Sequence, residues 1–182
     1  MSNDSTEPGY LVPVGVSPDY DQNLERKISQ WVRGVTGLDV KMVLPRWTDP
    51  QQTIPKNGNT WCAFGIRSFP SSRLPAHVQI SEDESEQWSW ENIEVILCFY
   101  GPNGASVSSL FRDGIQIDQN NDTLRAATGL SLTDYGQIYN LPELINNQWV
   151  RRYDITVTLS RKNVRTYNVK SVITPNVIIN GD

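Results

Sequence analysis

The chain has 182 residues, 38% of them hydrophobic and 20% charged, with a formal net charge of −4. That balance describes a globular chain long enough to bury a real core, and it excludes a disordered one. Two cysteines and a single histidine exclude a disulfide scaffold, a four-ligand structural zinc site and most His-dependent catalytic sets.

Residues 1–16 are polar, carry Pro8, Gly9 and Pro13, and read as an extended arm. The first residues lack the basic and apolar regions of a secretory leader, so none is expected. Ser17-Pro18 has the chemistry of a helix start, with a hydroxyl acceptor followed by a residue pre-set for the first turn. Leu24, Ile28, Trp31, Val32 and Val35 then repeat at helical spacing, and Gly37 ends the helix. Val40 to Leu44 reads as a short strand closed by Pro45, and Asp49 to Asn59 as a loop. Thr60 to Phe69 and His77 to Ile80 read as strands, with Ser81 to Glu86 as an exposed acidic turn.

Trp88 to Tyr100 is the strongest strand. Its second half is apolar on both faces, as in a central strand covered on both sides. Gly101-Pro102-Asn103-Gly104 breaks it, and Asn103 is placed to cap a helix with Val107, Leu110, Phe111 and Ile115 in its stripe. Asn121 or Asp122 would cap a second helix ending at Gly129. Gly136 to Leu141 reads as a strand. Gln148 to Ser160 alternates as a half-buried antiparallel strand with Trp149 on its apolar side, Arg161-Lys162-Asn163 as a turn, and Val164 to Thr174 as the return strand. Helices and strands do not alternate strictly, which predicts an α+β fold: a mainly antiparallel sheet with helices packed on one face. The expected organisation is an arm over 1–16, a single domain over 17–174 and a tail over 175–182.

The chemistry-bearing patterns are sparse. Gly101-Pro102-Asn103-Gly104 lies where a phosphate loop would, but without its glycine spacing or a following Gly-Lys-Ser/Thr, and reads as a turn and helix cap. No G-x-S-x-G elbow occurs. His77 has no nucleophile tied to it by a local pattern and reads as a strand-edge residue. Cys62 and Cys98, each inside an apolar run, read as reduced core thiols. The acidic turn lacks the spacing of a calcium loop and reads as solvated. The longest apolar stretch, Val95 to Tyr100, is far short of the ~20 residues that span a bilayer, so no membrane is expected among the partners. No cofactor is expected either.

Charge is segregated. Glu82, Asp83, Glu84, Glu86, Glu91 and Glu94 occur with no basic residue among them, while Arg151, Arg152, Arg161, Lys162, Arg165 and Lys170 face only Asp154 in their segment. The readings are solvated faces, complementary surfaces meeting between subunits, or, for the basic stripe, contact with nucleic acid, which the overall acidity disfavours. Trp47, in a Pro-Arg-Trp loop, and Trp88 and Trp90, beside the acidic turn, stand open between core and contact surface.

Four segments form an ordered set: Leu44-Pro45-Arg46-Trp47; Thr60-Trp61-Cys62-Ala63-Phe64-Gly65; Cys98-Phe99-Tyr100-Gly101-Pro102-Asn103 with Arg112-Asp113-Gly114-Ile115-Gln116 and Gln119-Asn120; and Pro142-Glu143-Leu144 with Trp149 to Thr156. Their order and spacing resemble the phage neck terminator family of tailed bacteriophages, from about Gly9 to Val172. The resemblance implies a structural virion protein with no catalytic residues. It would cap the head-proximal end of the tail tube as a homohexameric ring and join the tail to the head connector. Its implied partners are its own copies, the tail tube protein and a head-side connector or neck protein. Genomic DNA would pass through the lumen without specific binding, and assembly would occur in the host bacterial cytoplasm. The competing readings are a head-completion or connector neck protein and a small carboxylate-dependent hydrolase. The candidate subunit-interface residues are Glu82, Asp83, Glu84, Glu86, Arg151, Arg152, Arg161, Lys162, Arg165, Trp47, Trp88 and Trp90.

Overall fold

The computed structural model describes residues 5–50, 52–56, 58–145 and 147–170. The first residues of the expected arm, the end of the expected return strand and the expected tail over 175–182 lie outside the described residues. Among the described residues the elements run α1 (Asp21–Thr36), a 3₁₀ turn (Val40–Met42), β1 (Val43–Pro45), β2 (Trp61–Ser68), β3 (Ala76–Gln79), β4 (Glu84–Tyr100), α2 (Gly104–Gly114), α3 (Asp118–Thr128), β5 (Ser131–Tyr135), β6 (Tyr139–Asn140), β7 (Glu143–Ile145), β8 (Gln148–Val150) and β9 (Arg152–Asn168). The main sheet has the order β1-β2-β4-β9-β5, with β3 paired to β4 and β6 to β9, and β7-β8 form a separate hairpin. Every pairing with a resolved register is antiparallel except that of β1 with β2. The fold is α+β, as its sequence predicts.

The described chain gathers into two compact units, and β4 and β9 each run through both. The larger comprises Asp19–Pro70 and Glu91–Arg161. Its core follows from strand alternation. Cys62 and Phe64 of β2, Ile93, Val95, Leu97 and Phe99 of β4, and Ile155, Val157 and Leu159 of β9 bury one face against Leu24, Ile28, Trp31 and Val32 of α1, Phe111 of α2 with Ile115 just after it, and Leu124 of α3. Phe111 meets Trp31 edge-on at 5.2 Å and Phe99 at 5.7 Å. The opposite face carries a small cluster of Ala63, Cys98 and Tyr100 with Trp61, Ile96 and Val150.

Among the described residues the smaller unit draws on 5–18, Ser71–Trp90 and 162–170. It is held by backbone ladders: Ala76–Gln79 against Ser85–Trp88, and a bridge from Val14 N–H to the Thr166 carbonyl at 2.7 Å.

Several boundaries differ from the sequence expectation for identifiable reasons. Helix α1 starts at Asp21, not after Ser17, because Tyr20 is held extended at its N-cap. The Tyr20 ring packs edge-on against Phe69 at 5.8 Å and its hydroxyl donates to Glu91 at 2.9 Å. Gly37 ends the helix in the left-handed conformation, as expected. Val40 to Met42 form a 3₁₀ turn, so the expected strand shrinks to β1 and includes Pro45. In α2, Leu110 is exposed while Ser108 is buried. The stripe is rotated because Gly104 lets the helix start close to the Phe99 carbonyl and the Tyr153 ring. Asn103 sits at the N-cap without a side-chain capping bond. Helix α3 begins at Asp118, ahead of Asn121, and Asn120 Nδ2 donates to the Gly114 carbonyl at 2.8 Å to close the turn between the helices.

Strand β5 replaces most of the strand expected over Gly136 to Leu141, which shrinks to β6. Glu84 and Glu86 lie within β4, not in a loop, because β3 supplies their ladder. The largest correction is at Arg161-Lys162-Asn163. No turn forms there, and β9 continues straight through to Asn168. Trp149, expected in the core, is 74% exposed, because the chain breaks at Arg151 and β8 pairs with β7 instead of extending β9.

Two substitutions separate these environments. Phe111→Ala empties the helix–sheet core and is expected to lower the unfolding free energy by about 3–5 kcal/mol. Trp149→Ala touches an exposed hairpin and is expected to change it by less than about 0.5 kcal/mol. Urea denaturation of both variants measures the contrast.

Candidate functional site

The sheet face turned away from the helices carries the unusual chemistry. Alternation that sends Cys62 and Phe64 to the helices leaves Trp61, Ala63 and Gly65 on the other side of β2, beside Ile96, Cys98 and Tyr100 of β4. The Trp61 and Tyr100 rings stack at 4.4 Å and 10°. Trp47 follows β1 in a left-handed conformation (φ 59°) that a bulky residue rarely adopts. Its ring lies against buried Gly65, where an added methyl would overlap it, yet the residue remains 68% exposed. Glycine at 65 is therefore what lets an indole lie on the sheet. Arg46 places its guanidinium 5.5 Å from the Trp47 ring centroid.

Under these rings is a satisfied polar network. Arg152 donates to both Asp154 oxygens at 2.8 and 2.7 Å and to Glu143 at 3.1 Å. Glu143 also accepts from the Tyr100 hydroxyl at 3.1 Å. Arg46 and Arg152 reach the Cys98 sulfur at 3.0 and 3.4 Å. Burial, and then the Asp154 charge, push the Cys98 thiol up to about 11, against the pull of Arg152 and Arg46. Burial likewise raises Tyr100, and the hydrogen bonds that Arg152 donates to Asp154 raise Arg152. Cys62 is raised well above its ordinary range by burial. Both thiols are free and buried, so neither is presented as a nucleophile.

Around the network the surface opens into a cleft of about 540 Å³ between Ile54-Pro55-Lys56, Trp61, Gly101-Pro102 and the hairpin strand β8 with the following Arg151. A smaller hollow of about 210 Å³, lined by Arg46, Trp47, Gln52 and Tyr100 among others, shares Ile54 and Trp61 with it. All of these residues belong to the larger unit. The surface is aromatic and cationic, the composition that anchors protein contacts. Among the described residues no group of three or more His, Cys, Asp and Glu could hold a metal ion, and no helix is long and apolar enough to cross a membrane.

The residues singled out by sequence fall into separate places. Glu82 and Asp83 are exposed at the tip between β3 and β4, and Glu84 is exposed at the start of β4. Glu86 accepts from Trp88 Nε1 at 2.6 Å, and the Lys162 ammonium lies 3.1 Å over the half-buried Trp88 ring. Trp90 is exposed and Arg165 half-buried. Arg151 is exposed at the cleft. Arg152 and Arg161 do not face outward as a basic surface. Arg152 is bound in the network above, and Arg161 pairs with Glu91 at 2.8 Å, their side chains 8% and 7% exposed. The acidic and basic segments therefore meet inside the chain at this point, which accounts for the missing turn at Arg161. Glu94 is paired with Arg67 at 3.3 Å.

Sequence reasoning missed Trp149, Trp61, Ile54 and Lys56 as cleft residues. The usable signal was Asn147, whose left-handed conformation (φ 61°) sits in the β7–β8 turn and ends the run of alternation.

The family model described as phage neck terminator protein matches residues 22–182. A search of curated proteins found no match.

Glu91→Ala strands the Arg161 charge and is expected to cost about 3–5 kcal/mol of stability, read from the denaturation midpoint. Arg151→Glu, at an exposed position, is expected to change stability by less than about 0.5 kcal/mol. The Cys98 thiol predicts a pH dependence. Its folded value of about 11 lies above its ordinary 9.0, so the stability it contributes is complete below pH 9 and is lost as pH rises toward 11. Melting curves across that window should fall more steeply for the parent chain than for Cys98→Ala.

Proposed function

Because the chain belongs to the phage neck terminator family, a structural family of the phage virion that contacts tail and head proteins, we propose that it caps the head-proximal end of the tail tube as a ring and joins the tail to the head connector. The family match over residues 22–182 carries this reading. The aromatic, cationic cleft supports it, since exposed Trp beside Arg and Lys suits adhesion between proteins. In this reading the ring is a homohexamer assembled in the bacterial cytoplasm. Its partners are the tail tube protein on one side and a neck protein on the other, and DNA passes through the lumen without specific contacts. Ring closure needs one patch on each copy to meet a different patch on the next. The candidates that remain at the surface are the acidic Glu82, Asp83 and Glu84, Trp90 and Lys162, Arg151 at the cleft and Trp47 at the hollow beside it.

A phage lacking this chain is expected to make overlong or headless tails in negative-stain images, and mass measurement of complemented tails is expected to give a hexamer. Tails of normal length beside unjoined heads would overturn the terminator role in favour of a head-completion protein.

A further inference from the structure

We propose that the cleft of one copy receives the β3–β4 tip of a second copy, a contact that takes its biological setting from the terminator reading above. The cleft offers two cations, Lys56 and Arg151, around the apolar surfaces of Trp61, Trp149 and Ile54, and no carboxylate lines it. Neither cation has an ion-pair partner among the described residues. Of the neighbouring arginines, Arg152 and Arg161 are bound internally, whereas Arg151 is exposed at the cleft.

The tip has the opposite character. Ile80 is 52% exposed, and Glu82, Asp83 and Glu84 follow it at the surface. The tip is also ordered. Ile80 and Ser81 N–H donate to the Glu84 carbonyl at 3.0 and 3.2 Å, Gln79 Nε2 donates to the Ser81 carbonyl at 2.7 Å, and Val169 N–H donates to the Asp83 carbonyl at 3.0 Å. An ordered projection loses little conformational freedom on docking. An apolar side chain flanked by carboxylates matches a cleft of indoles flanked by cations, and charge complementarity selects this occupant over a phosphate backbone, which has no apolar counterpart to Ile80. Tip and cleft belong to different units of the chain. The contact is therefore heterologous, the kind that propagates from copy to copy and closes into a ring.

Charge exchange in the full-length chain tests the pairing. One variant carries Glu82→Lys, Asp83→Lys and Glu84→Lys; the other carries Lys56→Glu and Arg151→Glu. In sedimentation at low salt each variant alone is expected to associate more than about tenfold more weakly than the parent, and an equimolar mixture of the two to regain association. A crosslinker gives a second readout that needs no charge reversal. Benzoylphenylalanine in place of Trp149 is expected to couple to residues 80–84 of an isotope-labelled copy. The proposal is overturned if either variant alone associates like the parent, if the mixture stays apart, or if the crosslink falls on another segment or another molecule. A failed exchange with the tail defects intact removes this contact and leaves the terminator reading. A successful exchange with normal tails does the reverse.

Discussion

The ion pair between Arg161 and Glu91 fixes how β9 lies in the sheet, and the two faces of the sheet follow from it. Arg161 donates to Glu91, bonds the Asp19 carbonyl and lies 4.3 Å over the Tyr20 ring, which in turn bonds Glu91. One buried charge thus ties β4, β9 and the entry to α1. Burying two charges costs desolvation, so such a pair adds little as a source of net stability, but removing either partner is expensive. Its contribution is to register. A slip of one residue would separate the charges and turn Ile155, Val157 and Leu159 away from the helices.

The same logic divides the surface. With one face committed to three helices, the opposite face is left with Trp61, Tyr100, Cys98 and Ala63 and a polar network that satisfies Arg152. What projects beyond that network, Trp47 and Trp149 above all, has no internal role that would explain a large aromatic at the surface. Trp47 is positioned by backbone conformation and by the absence of a side chain at Gly65. A change at a buried sheet position would therefore be read at the exposed aromatic face.

The elements legible in the sequence were those decided locally. The helical stripe from Leu24 to Val32, the alternation of β4 and the glycine stops at Gly37 and Gly129 need only periodicity and backbone chemistry. What stayed hidden was decided by partners distant in sequence. Arg161-Lys162-Asn163 reads as a turn until Glu91 and Trp88, 70 residues or more away, neutralise or cover its cations. Ser17 reads as a cap until Tyr20 is claimed by Phe69 and Glu91. The segregation of charge was visible from the first reading, but only the pairing of strands reveals which charges are used inside the chain and which remain outside.

The edges of the sheet carry a consequence for crowding. At one end β1 is only three residues long and finishes in Pro45, which has no N–H to offer. At the other, the register of β5 shifts between Leu132 and Asp134. Neither edge is a long, regular row of open backbone groups, the feature that lets unlike or surplus strands zip on without limit. In the proposed ring, crowded copies can thus approach each other without polymerising through their backbones. The count at which such a ring would close is left to side-chain surfaces, which can be matched once and then are full.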